Sequence, residues 1–192
     1  MTAMPRDGAA RSVVVLSSHG LRFARQRSID DVSLMGSDFT TIYEPTADIV
    51  ETLDYASEVF RETQGDDGVV VVATGAKADW RDALSRAEIL QREFTRRVGI
   101  DAFSPKRSRR ASLEVEGRGR DLPEQAKETA RLLARRPLRS VTVVVSRSAD
   151  RDAVRSAFRG ALPDVDLFVR APTGDGAAAV AADDRPAKRA RR

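Results

Sequence analysis

The sequence predicts an α/β fold, a three-layer α/β/α sandwich around a mostly parallel sheet. Short valine-rich runs recur at residues 12–16, 69–73, 141–145 and 165–169. Nearly continuous apolar runs are typical of strands covered on both faces, as in parallel sheets. Segments with helical periodicity lie between the runs, and this alternation favours right-handed crossovers. The predicted architecture is therefore Rossmann-like.

In the first half of the chain, a strand at residues 12–16 is followed by a stretch without a clean period. We predict that residues 20–44 form a long loop with room for one short helix. Thr46 is expected to cap a helix, and the second strand follows at 69–73. The inner face of that helix recurs at steps of three and four, at Ile49, Leu53, Ala56 and Phe60.

A second helix is predicted to begin after Asp79 and to end near Gly99. Its inner face would consist of Trp80, Ala83, Ala87, Leu90 and Phe94. A weaker strand at 112–116, in which Leu113 and Val115 alternate with charged residues, is expected to be short or to lie at an edge.

The third helix has the form of a capping box, with Asp121 and Glu124 flanking a proline in the first turn. We predict that it ends at Pro137 and faces inward through Leu122, Ala126, Thr129 and Leu133. The strand at 141–145 precedes a fourth helix, capped by Ser148 and ending at Gly160. Its predicted inner residues are Ala153, Ala157 and Phe158, and the last strand is 165–169.

The composition excludes several classes of disulfide and metal site, and it limits the kinds of partner that we expect. The chain has no cysteine and one histidine, which excludes disulfide scaffolds, thiolate zinc sites and multi-histidine metal centres. No apolar run approaches the roughly 20 residues that a membrane helix needs, so we expect a cytoplasmic protein that does not contact membranes. Its expected partner is a small-molecule ligand.

Positive charge is concentrated at the end of the chain. The last eight residues hold five basic and no acidic side chains, whereas the whole chain has a net charge of only +4. We therefore predict one domain at 12–172, a flexible N-terminus at 1–11 and a disordered basic tail at 173–192. The favoured interpretation is a solvated tail of an arginine-rich protein; alternatively, the tail could contact nucleic acid weakly or direct nuclear import in a eukaryotic or viral setting.

Ligands of open parallel sheets bind beyond the carboxyl ends of the strands. The turns expected there are small, hydroxylated or cationic. Exposed backbone N–H groups at helix starts, with arginines nearby, would suit a phosphate or carboxylate. The alternative is that tight turns need small residues in any case. The candidate ligand-binding residues in these turns are Ser17, Ser18, His19, Gly20, Thr74, Gly75, Arg118, Gly119, Arg120, Asp121, Ser146 and Arg147.

Three titratable residues have both functional and structural interpretations. His19 could act as a general base or donate to a phosphate, although a loop histidine more often makes an ordinary backbone hydrogen bond. Glu88 and Glu124 could hold a divalent ion or act in acid–base chemistry. The capping role of Glu124 is the favoured interpretation. No dinucleotide fingerprint, P-loop or nucleophile elbow occurs, and neither a metal site nor a catalytic residue is assigned.

Two stretches match motifs of a known family. Residues 116–126 align without a gap with a motif close to Glu-x-x-Ser-x-Asn-Thr-x-Glu-Asn-Ala and retain Glu116, Glu124 and Ala126. Residues 144–153 align with a Val-Thr-Ser strand end followed by His-Met-x-Arg-Ala and retain Ser146 and Ala153. In these motifs the chain resembles the YdcF/SanA/ElyC-like family, over roughly residues 12–172.

The resemblance implies a Rossmann-like domain of unknown function. It adds Gln125, at the position of a family asparagine, to the candidate ligand-binding residues. It also implies S-adenosylmethionine as a candidate cofactor, because one family member binds it. Ala149 and Asp152 stand where the family has its histidine and arginine, which favours binding over catalysis.

The leading hypothesis is a protein that binds an anionic or nucleotide-like ligand, either S-adenosylmethionine or a phosphate-bearing compound. The alternative is a diverged, non-catalytic interaction module that its basic tail directs to the nucleus or to a polyanion.

Overall fold

The computed structural model describes residues 11–27, 41–63, 68–78, 84–103 and 111–173. Within these residues, seven strands and four helices follow one another along the chain, with a 3-10 turn at Ile100–Phe103. The strands are Arg11–Ser17 (β1), Phe23–Arg27 (β2), Thr41–Pro45 (β3), Val69–Thr74 (β4), Ala111–Glu116 (β5), Leu138–Val144 (β6) and Asp166–Arg170 (β7). The helices are Ala47–Thr63 (α1), Arg86–Val98 (α2), Leu122–Leu133 (α3) and Arg151–Ala161 (α4).

Five strands form one parallel sheet in the order β5-β4-β1-β6-β7. In the central register, Val14 of β1 lies opposite Val71 of β4 on one side and Thr142 of β6 on the other. All five strands lie within three residues of their predicted positions, and β5 is at an edge as expected. The predicted α/β fold class is confirmed.

Side chains along each strand point alternately to the two faces of the sheet, so the interior consists of two cores, one on each face. Val13 and Val15 of β1 belong to the core beneath α3 and α4, whereas Val14 and Leu16 belong to the core beneath α1 and α2. All four of these side chains are buried. Helices therefore cover both faces of the sheet, which explains why its central strands are almost continuously apolar.

Helix starts follow local capping chemistry, and two of the four predicted starts are wrong. The N-cap of α2 is Ser85, which forms a capping box with Glu88, so the helix does not begin after Asp79. Asp79, Trp80 and Ala83 lie outside the described residues, while the predicted Ala87, Leu90 and Phe94 do face the core.

Helix α4 is capped by Asp150 rather than by Ser148. The Asp150 carboxylate accepts hydrogen bonds from the Asp152 and Ala153 N–H groups, whereas the Ser148 hydroxyl bonds the Ser146 hydroxyl. The helix also continues through the predicted end at Gly160 to Ala161. Ala153 is consequently exposed, and Val154 and Phe158 are the helix's buried residues.

The caps of α1 and α3 are confirmed. The Thr46 hydroxyl accepts from the Ile49 N–H, and the Asp121 carboxylate accepts from the Glu124 N–H. The capping box of α3 is incomplete, because the Glu124 carboxylate accepts from the Arg120 N–H rather than from that of Asp121. This helix ends at Leu133, before Pro137.

The prediction of a loop over residues 20–44 is wrong at residues 23–27 and 41–44, which belong to strands. Strands β2 and β3 pair antiparallel, with Phe23 opposite Pro45 and Arg27 opposite Thr41. The two strands are separated in sequence by residues 28–40, which lie outside the described part of the chain. Short strands of this kind depend on tertiary contacts more than on their own pattern.

Both predicted terminal segments fall mainly outside the described residues. Arg11, expected to be flexible, begins β1, and the described chain extends to Thr173. No helix in the described ranges is long and apolar enough to cross a bilayer.

The aromatic centre of the core beneath α1 and α2 provides a test of its packing. Phe94 is fully buried, and its ring centroid lies 5.7 Å from that of Phe60 and 6.3 Å from that of Phe103. We expect Phe94→Ala to lower the free energy of unfolding by about 3–5 kcal/mol, because it leaves a cavity. Urea titration measures the change, and Ile100→Ala, at a side chain that is 77% exposed, is the control. Equal effects of the two substitutions would contradict this packing.

Candidate functional site

The carboxyl ends of the parallel strands bring the predicted turns to one edge of the sheet. There they form two neighbouring structures with different character. One is a buried polar cluster around Gln125, and the other is an open pocket beside it.

The side-chain amide of Gln125 fastens the ends of β1 and β4 to α3. Its Oε1 accepts hydrogen bonds from the Thr74 hydroxyl at 2.9 Å and the Ser17 hydroxyl at 3.2 Å. Its Nε2 donates to the Ser18 hydroxyl at 3.2 Å. All four side chains are buried, so these predicted ligand-binding groups have their hydrogen-bonding partners inside the protein.

Two glycines permit close contact between the turns. Gly75, at φ 136°, packs so closely on Ser18 that an added Cβ would lie 2.1 Å from its hydroxyl oxygen. An added Cβ at Gly20 would lie 2.7 Å from the hydroxyl oxygen of Ser146. Gly20 and Ser146 follow β1 and β6, the strands that flank the topological switch point of the sheet, and they pack against each other there.

The turn between β5 and α3 is held by internal hydrogen bonds. One carboxylate oxygen of the buried Glu116 accepts from the N–H groups of Arg118 at 2.6 Å and Gly119 at 3.0 Å. The carbonyl of Gly119 accepts from the Ala76 N–H at 2.9 Å. Gly119 itself is buried against the backbone of Gln125, where an added Cβ would lie 2.6 Å away. Arg118 and Arg120, on either side of it, are exposed.

The open pocket has a volume of about 910 Å³ and lies between the turn after β4, the start of α2 and the turn after β5. Among the described residues on its wall, four side chains are cationic and one is acidic. The wall residues are Ala76, Lys77, Ala78, Ser85, Arg86, Glu88, Val115, Gly117, Arg118 and Arg120.

The backbone donors at the start of α2 are already used. The Glu88 carboxylate accepts from the Ser85 N–H at 2.6 Å, and the Ser85 hydroxyl accepts from the Glu88 N–H at 3.2 Å. The N–H groups of Arg86 and Ala87 donate to carbonyls of the turn after β4. The expectation of exposed N–H groups at a helix start is therefore wrong for α2, where the Glu88 carboxylate occupies the place of an anion.

The ionisation of Glu88 is coupled to this cap. Hydrogen bonds from the Ser85 N–H and then the Ser85 hydroxyl hold the pKa of Glu88 below its ordinary value. Partial burial opposes this effect, and the positive charge of Lys77 adds to it. Glu88 is thus a structural anion whose hydrogen bonds stabilise the rim of the pocket.

Arg86 is positioned from the opposite side by an aromatic ring. Its guanidinium carbon lies 5.4 Å from the centroid of the Phe23 ring, a cation–π distance. Its Nε is buried and makes no hydrogen bond. Phe23 belongs to β2, so the small antiparallel sheet contributes to the support of the pocket wall.

Of the predicted site residues, Glu88, Arg118 and Arg120 line the pocket. Sequence reasoning missed Lys77 and Arg86. Lys77 belongs to the turn after β4, from which only Thr74 and Gly75 are predicted as candidates. The predicted start of α2 after Asp79 places Arg86 inside the helix rather than at its first position. The exact signal for the start was the Ser-x-x-Glu spacing of Ser85 and Glu88.

The remaining candidates lie elsewhere on the same edge. The backbone N–H of His19 donates to the Ser17 hydroxyl, and the side chain of Arg147 forms an ion pair with Glu51 on α1. Glu88 and Glu124 both accept backbone hydrogen bonds near helix starts. No group of three or more potential metal-ligating His, Cys, Asp or Glu side chains occurs within the described ranges.

No protein-family model, curated protein or solved structure matches the chain significantly. The resemblance to the YdcF/SanA/ElyC-like family stays a prediction.

The buried amide cluster can be tested by truncating its centre. We expect Gln125→Ala to lower the free energy of unfolding by about 1–3 kcal/mol, because it removes the partners of buried hydroxyls. Urea titration measures the change. Gln91→Ala, which truncates a half-buried glutamine of α2, is the matched control. A loss no greater than that of the control would contradict the fastening role.

The capping box of α2 predicts that the free energy of unfolding depends on pH. Because the pKa of Glu88 is lower in the folded state, its ionisation contributes stability above its unfolded pKa of about 4.3. That contribution is lost as the pH falls through the folded pKa. We expect Glu88→Gln to be less stable than the parent chain at pH 7, with the difference shrinking below about pH 4.

Urea titrations across this pH range measure the difference. Glu58→Gln, which removes an exposed carboxylate from α1, controls for the loss of one negative charge. A difference between parent and Glu88→Gln that does not change with pH would refute the coupling.

Proposed function

We propose that this protein binds a phosphate-bearing ligand of nucleotide size in the pocket between β4, β5 and α2. The observation that carries the proposal is the convergence of Lys77, Arg86, Arg118 and Arg120 on one concave surface. The volume of about 910 Å³ falls within the range of small-molecule sites, roughly 300–1,000 Å³.

The chemistry of the wall suits phosphate better than other anions. Arginine presents a planar fork of donors that matches two phosphate oxygens, and charge-assisted hydrogen bonds are stronger than neutral ones. Three of the four cationic side chains are arginines. The acidic member, Glu88, stays ionised, but the four cationic side chains outnumber it on the described part of the wall.

The backbone beneath the cations is organised before any ligand arrives. Hydrogen bonds from the N–H groups of Arg118 and Arg120 to buried or capping carboxylates hold their turn in place. Fixing a binding loop in advance lowers the entropic cost of association. Rigid support under long, exposed side chains favours a binding site over a solvated charged surface.

The same charge distribution distinguishes the two ligand classes expected from the sequence. S-adenosylmethionine carries a sulfonium, an ammonium and a carboxylate, so its net charge is positive and opposes binding to a cationic wall. A phosphate-bearing compound has the complementary charge. The basic run at residues 185–192 lies outside the described chain, and its role in targeting or polyanion binding stays a prediction.

The proposal can be tested by isothermal titration with adenosine triphosphate and glucose 6-phosphate. We expect at least one to bind, and Arg118→Ala/Arg120→Ala to weaken that binding about tenfold or more, because each lost charge-assisted bond is worth roughly 1.5–3 kcal/mol. Saturation at 100 times the dissociation constant should also raise the unfolding free energy by about 2.7 kcal/mol.

The matched control is Arg131→Ala/Arg155→Ala. It removes the same charge from exposed arginines that pair with Glu128 and Asp152 on α3 and α4. If both double variants weakened ligand binding equally, the cause would be the overall charge of the protein rather than the arginines of the pocket. Absence of binding by either compound at millimolar concentration would overturn the proposal.

A further inference from the structure

The four cations of the pocket belong to two separate walls. Arg118 and Arg120 lie on the turn between β5 and α3. Lys77, in the turn after β4, and Arg86, the first residue of α2, form the opposite wall. The walls are joined at their base, where the Gly75 N–H donates to the Glu116 carbonyl and the Ala76 N–H donates to the Gly119 carbonyl.

Each wall is fixed by its own contacts. The arginine wall is held by Glu116, by the burial of Gly119 and by the Glu124 carboxylate. The opposite wall is held by the capping box of α2 and by the stacking of Arg86 on Phe23. The backbone at Arg86, Arg118 and Arg120 is therefore held by contacts within the protein and without a ligand.

The balance of charge is informative about the ligand. Four cationic side chains and one carboxylate give the described part of the wall a net charge of +3. One phosphate monoester carries about −1.5 to −2 charges at pH 7, which leaves part of the wall uncompensated. Two adjoining phosphoryl groups would match the wall and supply enough oxygens for both pairs of cations.

We infer that the pocket selects a diphosphate, with one phosphoryl group held by Arg118 and Arg120 and the other by Lys77 and Arg86. This inference rests on the proposed function, because it specifies the ligand of the same pocket. The backbone amides at the start of α2 take no part, since their hydrogen bonds are already made within the protein. Recognition depends on side chains from two walls, so both are required for the preference.

The test compares inorganic pyrophosphate with inorganic phosphate by isothermal titration in buffer free of divalent cations. We expect pyrophosphate to bind at least about tenfold more tightly, because it engages a second pair of charge-assisted bonds. Citrate, a multivalent anion without phosphoryl groups, controls for charge alone and should bind more weakly than pyrophosphate.

One variant for each wall separates two-wall recognition from general attraction. Arg118→Gln and Lys77→Gln remove one charge from each wall at exposed side chains. Each should reduce the preference for pyrophosphate over phosphate about tenfold, whereas Arg131→Gln on α3 should preserve it. Thermal unfolding of each variant verifies that its fold is retained, and Arg118→Lys should restore part of the preference.

The outcomes separate the two proposals. If phosphate and pyrophosphate bind equally, or if citrate matches pyrophosphate, the diphosphate inference is wrong while phosphate binding in the pocket stands. If only one wall affects the preference, two-wall recognition is likewise wrong. If neither phosphate, pyrophosphate nor adenosine triphosphate binds, the diphosphate inference and the proposed function both fail.

Discussion

One buried amide holds together the edge of the sheet on which the rest of this structure depends. Gln125 links the ends of β1 and β4 to α3 through the hydroxyls of Ser17, Ser18 and Thr74. Polar groups withdrawn from water need partners, and here one side chain provides them for three hydroxyls at two strand ends. The backbone of Gln125 also supports Gly119, which places the flanking arginines at the pocket.

At this edge, the short polar groups are hydrogen-bonded inside the protein, whereas Lys77, Arg118 and Arg120 are exposed to solvent. The backbone N–H groups at the start of α2 already donate hydrogen bonds to the side chains of Ser85 and Glu88 and to carbonyls of the turn after β4. The pocket therefore differs from sites in which a helix N-terminus holds a phosphate through free N–H groups. The proposed binding would instead depend on long arginine and lysine side chains.

The position of the pocket follows from packing between the turns. In doubly wound sheets, ligands commonly bind at the switch point of the strand order, here between β1 and β6. Gly20 packs closely against Ser146 at that position. The opening lies instead beside β4 and β5, where small residues such as Ala76 and Gly117 leave room next to the cations.

The sequence by itself determined the parallel strands, the caps at Thr46 and Asp121, and the edge of the sheet that carries the polar turns. These features depend on apolar period and on capping groups within a few residues. Only the tertiary structure decided which polar groups are buried and which are open to a ligand. The hydrogen-bond partners of Gln125 are 51 to 108 residues away in sequence, so no local pattern distinguishes its structural role from contact with a ligand.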